Sequence, residues 1–329
     1  MWDFSISRSF GLMVRTLPFL IFRMLTYAGI AIAFVIVTGT GAGIGWGIGS
    51  LGGEDGQATG VMWGAFSGFG LTAGALYLAR EYILYMVKAA HIAVLVELLD
   101  GRDIPGGKNQ ISYGAEMVKE RFIQSNVLFG LDQLIKGVIA AITGLMQGIA
   151  AILPIPGLQN IVGIIKAFLK VAVGFVDEII LAYAMRTKSD NPWRSAEDAL
   201  VLYGQNYKKM LKNAAFLAVI VYVLSFLIFL IMLAPAALVV YLIPGSWSAG
   251  GFIFAIIFAW AVKAAVIEPF AVTCMMDVYF KTIEGQTKDP EWDDRLSSIS
   301  KKFRKIKDKA SDWVGGKRPE ASTTAPAGQ

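Results

Sequence analysis

No charged side chain interrupts residues 213–243. At about 1.5 Å per residue, a helix of that length crosses the roughly 30 Å hydrocarbon core of a bilayer. Comparable apolar runs occupy 18–38, 57–79 and 251–280, and two with a few polar positions occupy 126–153 and 158–185. A soluble fold has no means of hiding this much apolar surface. The chain is 55% hydrophobic and 17% charged, against roughly 25% charged in soluble domains. These runs predict an all-α polytopic membrane bundle. Six spans in three hairpins would form a membrane domain over 1–285, with amphipathic interfacial helices in 80–125. A basic amphipathic helix follows over 286–314, and residues 315–329 read as a disordered tail. If 126–185 is instead an interfacial or re-entrant hairpin, the spans number four.

Positive charge orients the bundle, because Lys and Arg favour cytoplasmic loops. The expected outer turns 39–56, 154–157 and 244–250 contain neither residue. The expected inner loops 80–125 and 186–212 contain six each, and the last 49 residues hold eleven of the thirty. All loops agree, so both termini are expected in the cytoplasm, with the chain integral to a prokaryotic cytoplasmic membrane. The first apolar run is too long for a signal-peptide core and reads as a span.

Glycine patterns the first hairpin. Gly56, Gly60, Gly64 and Gly68 recur every four residues, as do Gly41, Gly45, Gly49 and Gly53. On a helix this spacing puts small residues on one face, where a neighbouring backbone can approach closely. A phosphate-binding glycine loop would need a preceding strand, which is not predicted here. The glycine-lined hairpin also admits self-association or partner membrane proteins.

The second hairpin carries polar stripes. Asp132, Lys136, Thr143 and Gln147 share one helical face, as do Gln159, Lys166, Lys170 and Asp177. With the turn 154–157 at the outer surface, Lys166 lies roughly 15 Å below it, near mid-bilayer. A charge there costs about 2.5 kcal/mol or more unless paired or hydrated, and Asp132 and Asp177 are the candidate partners. Amphipathicity allows two arrangements: a polar path between helices, or a hairpin lying flat with its lysines among lipid phosphates.

The third hairpin adds Trp260, Lys263 and Glu268, followed by Pro269. Lys263 and Glu268 are five apart, a poor spacing for a pair on one helix, so each is expected to seek a partner elsewhere. Arg23, five residues into the first span, is expected to snorkel to the interface. Ser195 is the expected N-cap of a helix with Glu197 and Asp198 in its first turn. His91 lies in a segment expected at the membrane surface. In the tail, Lys301, Lys302, Arg304, Lys305 and Lys307 surround Ile299, Phe303, Ile306, Ala310 and Trp313 at helical spacing. Such a helix suits the lipids of an anionic inner leaflet.

One cysteine (Cys274) and one histidine (His91) exclude an intrachain disulfide and a Cys/His zinc site. No nucleophile elbow, Walker motif or HExxH occurs, so no enzyme chemistry, metal or cofactor is expected. No base-reading motif points to nucleic acid.

From about residue 110, the layout resembles the C-terminal half of the choline transporter-like family, over some 200 residues. Ser195-Ala196-Glu197-Asp198-Ala199 is similar to that family's Ser-Ala-basic-Asp-Ala-Phe run on a short cytoplasmic helix leading into a long span. Glu197 and Leu200 stand where the family has a basic residue and Phe. Glu268 and Asp277, before a polar segment and a final basic helix, resemble its last span. The family's cysteine-rich stretch and long N-terminal half have no counterpart, and Glu284-Gly285-Gln286-Thr287-Lys288-Asp289-Pro290 departs from its usual polar segment. The resemblance implies a membrane transport protein for a small amine or lipid-related solute. Trp260, Tyr183, Glu178 and Glu268 could then serve an amine through aromatic faces and charge. Two functions follow as expectations: a transporter-like protein with a polar path between the second and third hairpins, or a non-transporting scaffold or assembly factor that binds lipid or partner proteins.

Overall fold

The computed structural model describes residues 2–79, 84–121, 131, 134–142, 144, 174–242 and 248–313. Its elements are helices, with no strand among the described residues. In chain order they are α1 (Ile6–Arg15), α2 (Leu17–Gly49), α3 (Gly53–Ala79), α4 (Tyr85–Leu99), α5 (Gln110–Arg121), α6 (Val176–Thr187), α7 (Pro192–Gln205) and α8 (Tyr207–Leu242). There follow α9 (Ser248–Val262), a π-helical turn (Lys263–Ile267), α10 (Glu268–Ile283), α11 (Pro290–Ile299) and α12 (Lys301–Asp312). Three segments are long and apolar enough to cross a membrane: Leu17–Ala75, Tyr207–Tyr241 and Gly251–Ile283.

Those segments expose their apolar side chains. Ile32, Ile36 and Ile44 on α2, Trp63 and Phe66 on α3, and Val223, Phe226 and Ile231 on α8 all face outward. The main hydrophobic core lies elsewhere, among α4, α6, α7, α10 and their neighbours. Every residue of α4 from Ala89 to Leu99 is buried. A helix that is apolar nearly all round belongs inside a protein, which corrects the surface position expected for this segment and for His91.

The α2–α3 hairpin is closed by glycine. A Cβ on Gly45 would lie 2.6 Å from the Gly60 carbonyl carbon, and one on Gly60 would lie 2.9 Å from that of Gly45. Gly41 opposes Gly64, Gly49 opposes Gly56, and Gly68 lies against the Val37 carbonyl. A Cβ added to Gly39, Gly43 or Gly47 would meet nothing within 4 Å. The expected outer loop 39–56 is therefore mostly helix, and the reversal is confined to Ser50–Gly53, where Gly53 has φ 77°. Backbone packing across this seam outweighs the roughly 1 kcal/mol per residue by which glycine disfavours helix.

Three other expectations change. α7 starts at Pro192 with Asn191 as its cap, accepting from Arg194 N–H, and Ser195 is buried within the helix. The basic tail is two helices broken at Ser300, whose Oγ accepts from Phe303 N–H. Phe303, Ile306 and Ala310 are buried, with α12 packed on α7. This corrects the expected lipid-facing apolar side of the tail: protein covers it, and Lys301, Lys302, Arg304 and Lys305 remain exposed. The expected spans 126–153 and 158–185 fall largely outside the described residues. The parts described, including Leu134, Val138 and Ile142 and the start of α6, join the main core.

The two glycine rows differ in a testable way. Gly45→Ala forces overlap with backbone and should destabilise by about 1–3 kcal/mol. Gly43→Ala, in open space, should be neutral or stabilising by up to about 1 kcal/mol. Thermal melts of the purified variants in detergent check both signs.

Candidate functional site

Glu178 sits in the first turn of α6, where the positive end of the helix dipole favours a carboxylate, and Glu268 directly follows the π-helical turn inside the continuous helix that runs from α9 into α10. Pro269 follows it, where a residue without an N–H interrupts the helical hydrogen-bond ladder. Both carboxylates converge on Lys88 of α4. Its Nζ lies 3.0 Å from Glu178 Oε1 and 3.5 Å from Glu268 Oε2. The other oxygen of Glu268 takes Lys263 Nζ at 3.1 Å. The five-residue spacing of Lys263 and Glu268, unfavourable on an α-helix, works here because the π-helical turn lies between them.

Arg23 completes the cluster. Within the π-helical turn, the Glu268 N–H donates to the Lys263 carbonyl, five residues back. The next bond in that register would run from residue 269 to Ala264, but Pro269 has no N–H. Arg23 Nη2 donates to the Ala264 carbonyl instead, at 2.6 Å. Arg23 is only 3% exposed, so it does not snorkel to the interface as expected. Its guanidinium lies 6.0 Å from the ring centre of Tyr27, and that ring meets Trp260 edge-on at 5.4 Å. Three cations and two carboxylates thus meet beside an aromatic pair. Burial opposes the charge on Lys88, but Glu178 and Glu268 outweigh it and raise its pKa above that of an ordinary lysine.

Of the residues singled out in the sequence, the structure brings Glu178, Lys263, Glu268 and Trp260 into this neighbourhood. Asp177 points elsewhere and faces Lys136 at 3.6 Å. Tyr183 packs edge-on against Tyr279, 6.2 Å away. Asp132, Lys166 and Lys170 lie outside the described residues. Lys307 pairs with Asp293 rather than standing free. Lys88, expected with His91 on one side of a surface segment, was not among the expected site residues; its signal was the lysine leading into the run 89–96, apolar except for His91. His91 is fully buried, stacked on Phe19 at 5.1 Å, and neither ring nitrogen has a hydrogen-bond partner among the described residues. Burial, reinforced by the Arg23 charge, lowers its pKa well below the usual histidine value and keeps it neutral.

A second polar group lies at the far end of α4. Arg186 binds Asp100 through Nε at 3.1 Å and Nη2 at 2.8 Å. Arg8 donates to Asp277 Oδ1 and the Leu99 carbonyl, each at 2.8 Å. These residues, with Phe280, Lys281 and Glu284, line a cleft of about 320 Å³. Next to it, the buried Glu97 takes Arg102 and the Tyr113 hydroxyl. Among the described residues, no group of three or more His, Cys, Asp or Glu is placed to hold a metal ion.

No protein family, characterised protein or solved structure matches this chain.

The cluster predicts a double-mutant result. Lys88→Met leaves two carboxylates facing each other and should cost about 3–5 kcal/mol of stability. Adding Glu178→Gln should restore part of that loss, as read by unfolding in detergent. Glu97 predicts a pH effect. Burial raises its pKa, but the Arg102 and Tyr113 hydrogen bonds and the Arg102 and Lys188 charges outweigh burial and hold it below the ordinary 4.5. Its contribution is present above that value and is lost as pH falls through the lower folded-state pKa. Melting curves should show acid destabilisation that Glu97→Gln flattens.

Proposed function

We propose that this protein is a transporter-like membrane protein that recognises a small amine at the Glu178–Glu268 pair. The observation that carries this reading is the convergence of two carboxylates, from different helices, on one ammonium group. Lys88 occupies a position that the ammonium of a substrate would compete for, and Trp260 and Tyr27 offer aromatic faces nearby. The resemblance to the choline transporter-like family supports the same solute class. The π-helical turn is a second support, since such irregular turns are frequent at functional sites. In this reading, the glycine seam is a helix-packing zipper that keeps the first hairpin rigid beside the moving parts. The lysine and arginine bias supports a prokaryotic cytoplasmic membrane, with both termini inside.

A scaffold is the second reading, and α12 favours it. Lys301, Lys302, Arg304 and Lys305 project from a docked helix and could hold an anionic leaflet or an acidic partner without any solute path.

Choline binding to the purified protein separates the two readings. A choline-dependent rise in melting temperature, abolished by Glu268→Gln but retained when the α12 lysines are neutralised, is the expected result. No response to choline or ethanolamine, together with loss of vesicle binding on neutralising α12, would overturn the transporter reading in favour of the scaffold.

A further inference from the structure

α1 divides into three faces. Ser9, Leu12 and Met13 are buried, and the helix packs chiefly on α10. Ile6, Phe10 and Val14 form an apolar row and are exposed, Phe10 by 64%. Ser7, Gly11 and Arg15 form a third, exposed row. At 3.6 residues per turn, these rows follow one another around the helix. A helix that meets protein on one side and water on another has no reason to hold large apolar residues on the third, unless something apolar lies there.

Both ends of α1 are pinned where helices turn from polar to apolar. At one end, the Asp3 N–H donates to Asn213 Oδ1 at 2.6 Å, and Lys212 Nζ pairs with Asp3 at 2.8 Å. These partners are the last polar residues before the uncharged stretch of α8. Trp2 meets Phe216, the first large exposed apolar side chain of that stretch, at 5.7 Å. At the other end, Thr16 closes α1 and Leu17 opens α2, where Leu17, Ile21 and Leu25 are exposed. The apolar row of α1 therefore runs between the outward faces of two segments long enough to cross a membrane.

We propose that α1 is an interfacial helix that lies in the plane of the bilayer, with Ile6, Phe10 and Val14 in contact with lipid. The polar-to-apolar boundary at each end sets its depth at the headgroup level, and Trp2 is the residue type favoured there. The helix straps the beginning of α2 to the beginning of α8 on one side of the membrane.

Single cysteines test this in the full chain. The native Cys274 is fully buried, so the parent protein serves as the blank. Nitroxide labels at Ile6→Cys, Phe10→Cys and Val14→Cys are compared with Ser7→Cys and Gly11→Cys, in vesicles of phosphatidylcholine and phosphatidylglycerol. Each variant must first match the parent melting temperature, and the three apolar positions back one another if one fails to fold. Collision with oxygen relative to a water-soluble nickel chelate should be several-fold higher at 6, 10 and 14 than at 7 and 11. Equal ratios on the two rows would overturn the proposal. So would poor access of both reagents at 6, 10 and 14 with spin–spin broadening between labels, because a second copy of the chain would then cover the face.

Discussion

An ammonium group held between two carboxylates ties together helices that are far apart in the chain. Lys88 belongs to the buried α4, Glu178 to α6 and Glu268 to the helix that continues from the third apolar segment. Each charge would be expensive to bury alone. Together they are tolerable only in one relative placement of the three helices. The cluster therefore couples the placement of α4, α6 and α10 to one another. It sets how the apolar segments meet the tightly packed core.

Arg23 extends that logic to the first hairpin through a backbone defect. Pro269 follows the π-helical turn and removes the donor that the Ala264 carbonyl would have had. A guanidinium from another helix supplies it. The cost of breaking the helical ladder at one place is thus offset by a bond that joins two elements 241 residues apart. A donor from a neighbouring helix is one of the ways in which a backbone group freed by proline is satisfied away from water.

The class of fold was legible in the sequence because length and lack of charge are properties of contiguous residues. The apolar runs 18–38, 57–79, 213–243 and 251–280 all correspond to long helices. Glycine spacing also pointed to close helix contact, although 39–56, expected as an outer turn, is largely taken up by the continuation of α2 and the start of α3. What escaped was pairing between segments. Nothing local to Lys88 says that Glu178 and Glu268 will meet it. Nothing local to Arg23 reveals an orphaned carbonyl on Ala264. The same is true of α12, whose basic amphipathic pattern fits a lipid surface or a protein groove equally well. Only the packing on α7 distinguishes them.

The hydrogen bond between Asp3 and Asn213 spans 210 positions of sequence. At a synthesis rate of about 5–20 residues per second, Asn213 is made roughly 10–40 s after Asp3. During that interval α1 has neither of its anchors on α8. The strap therefore cannot guide the early stages of membrane insertion, and the first hairpin must be held by its own glycine seam. Docking of α1 belongs to the closing steps of assembly, when a finished bundle is recognised by the fit of its two ends.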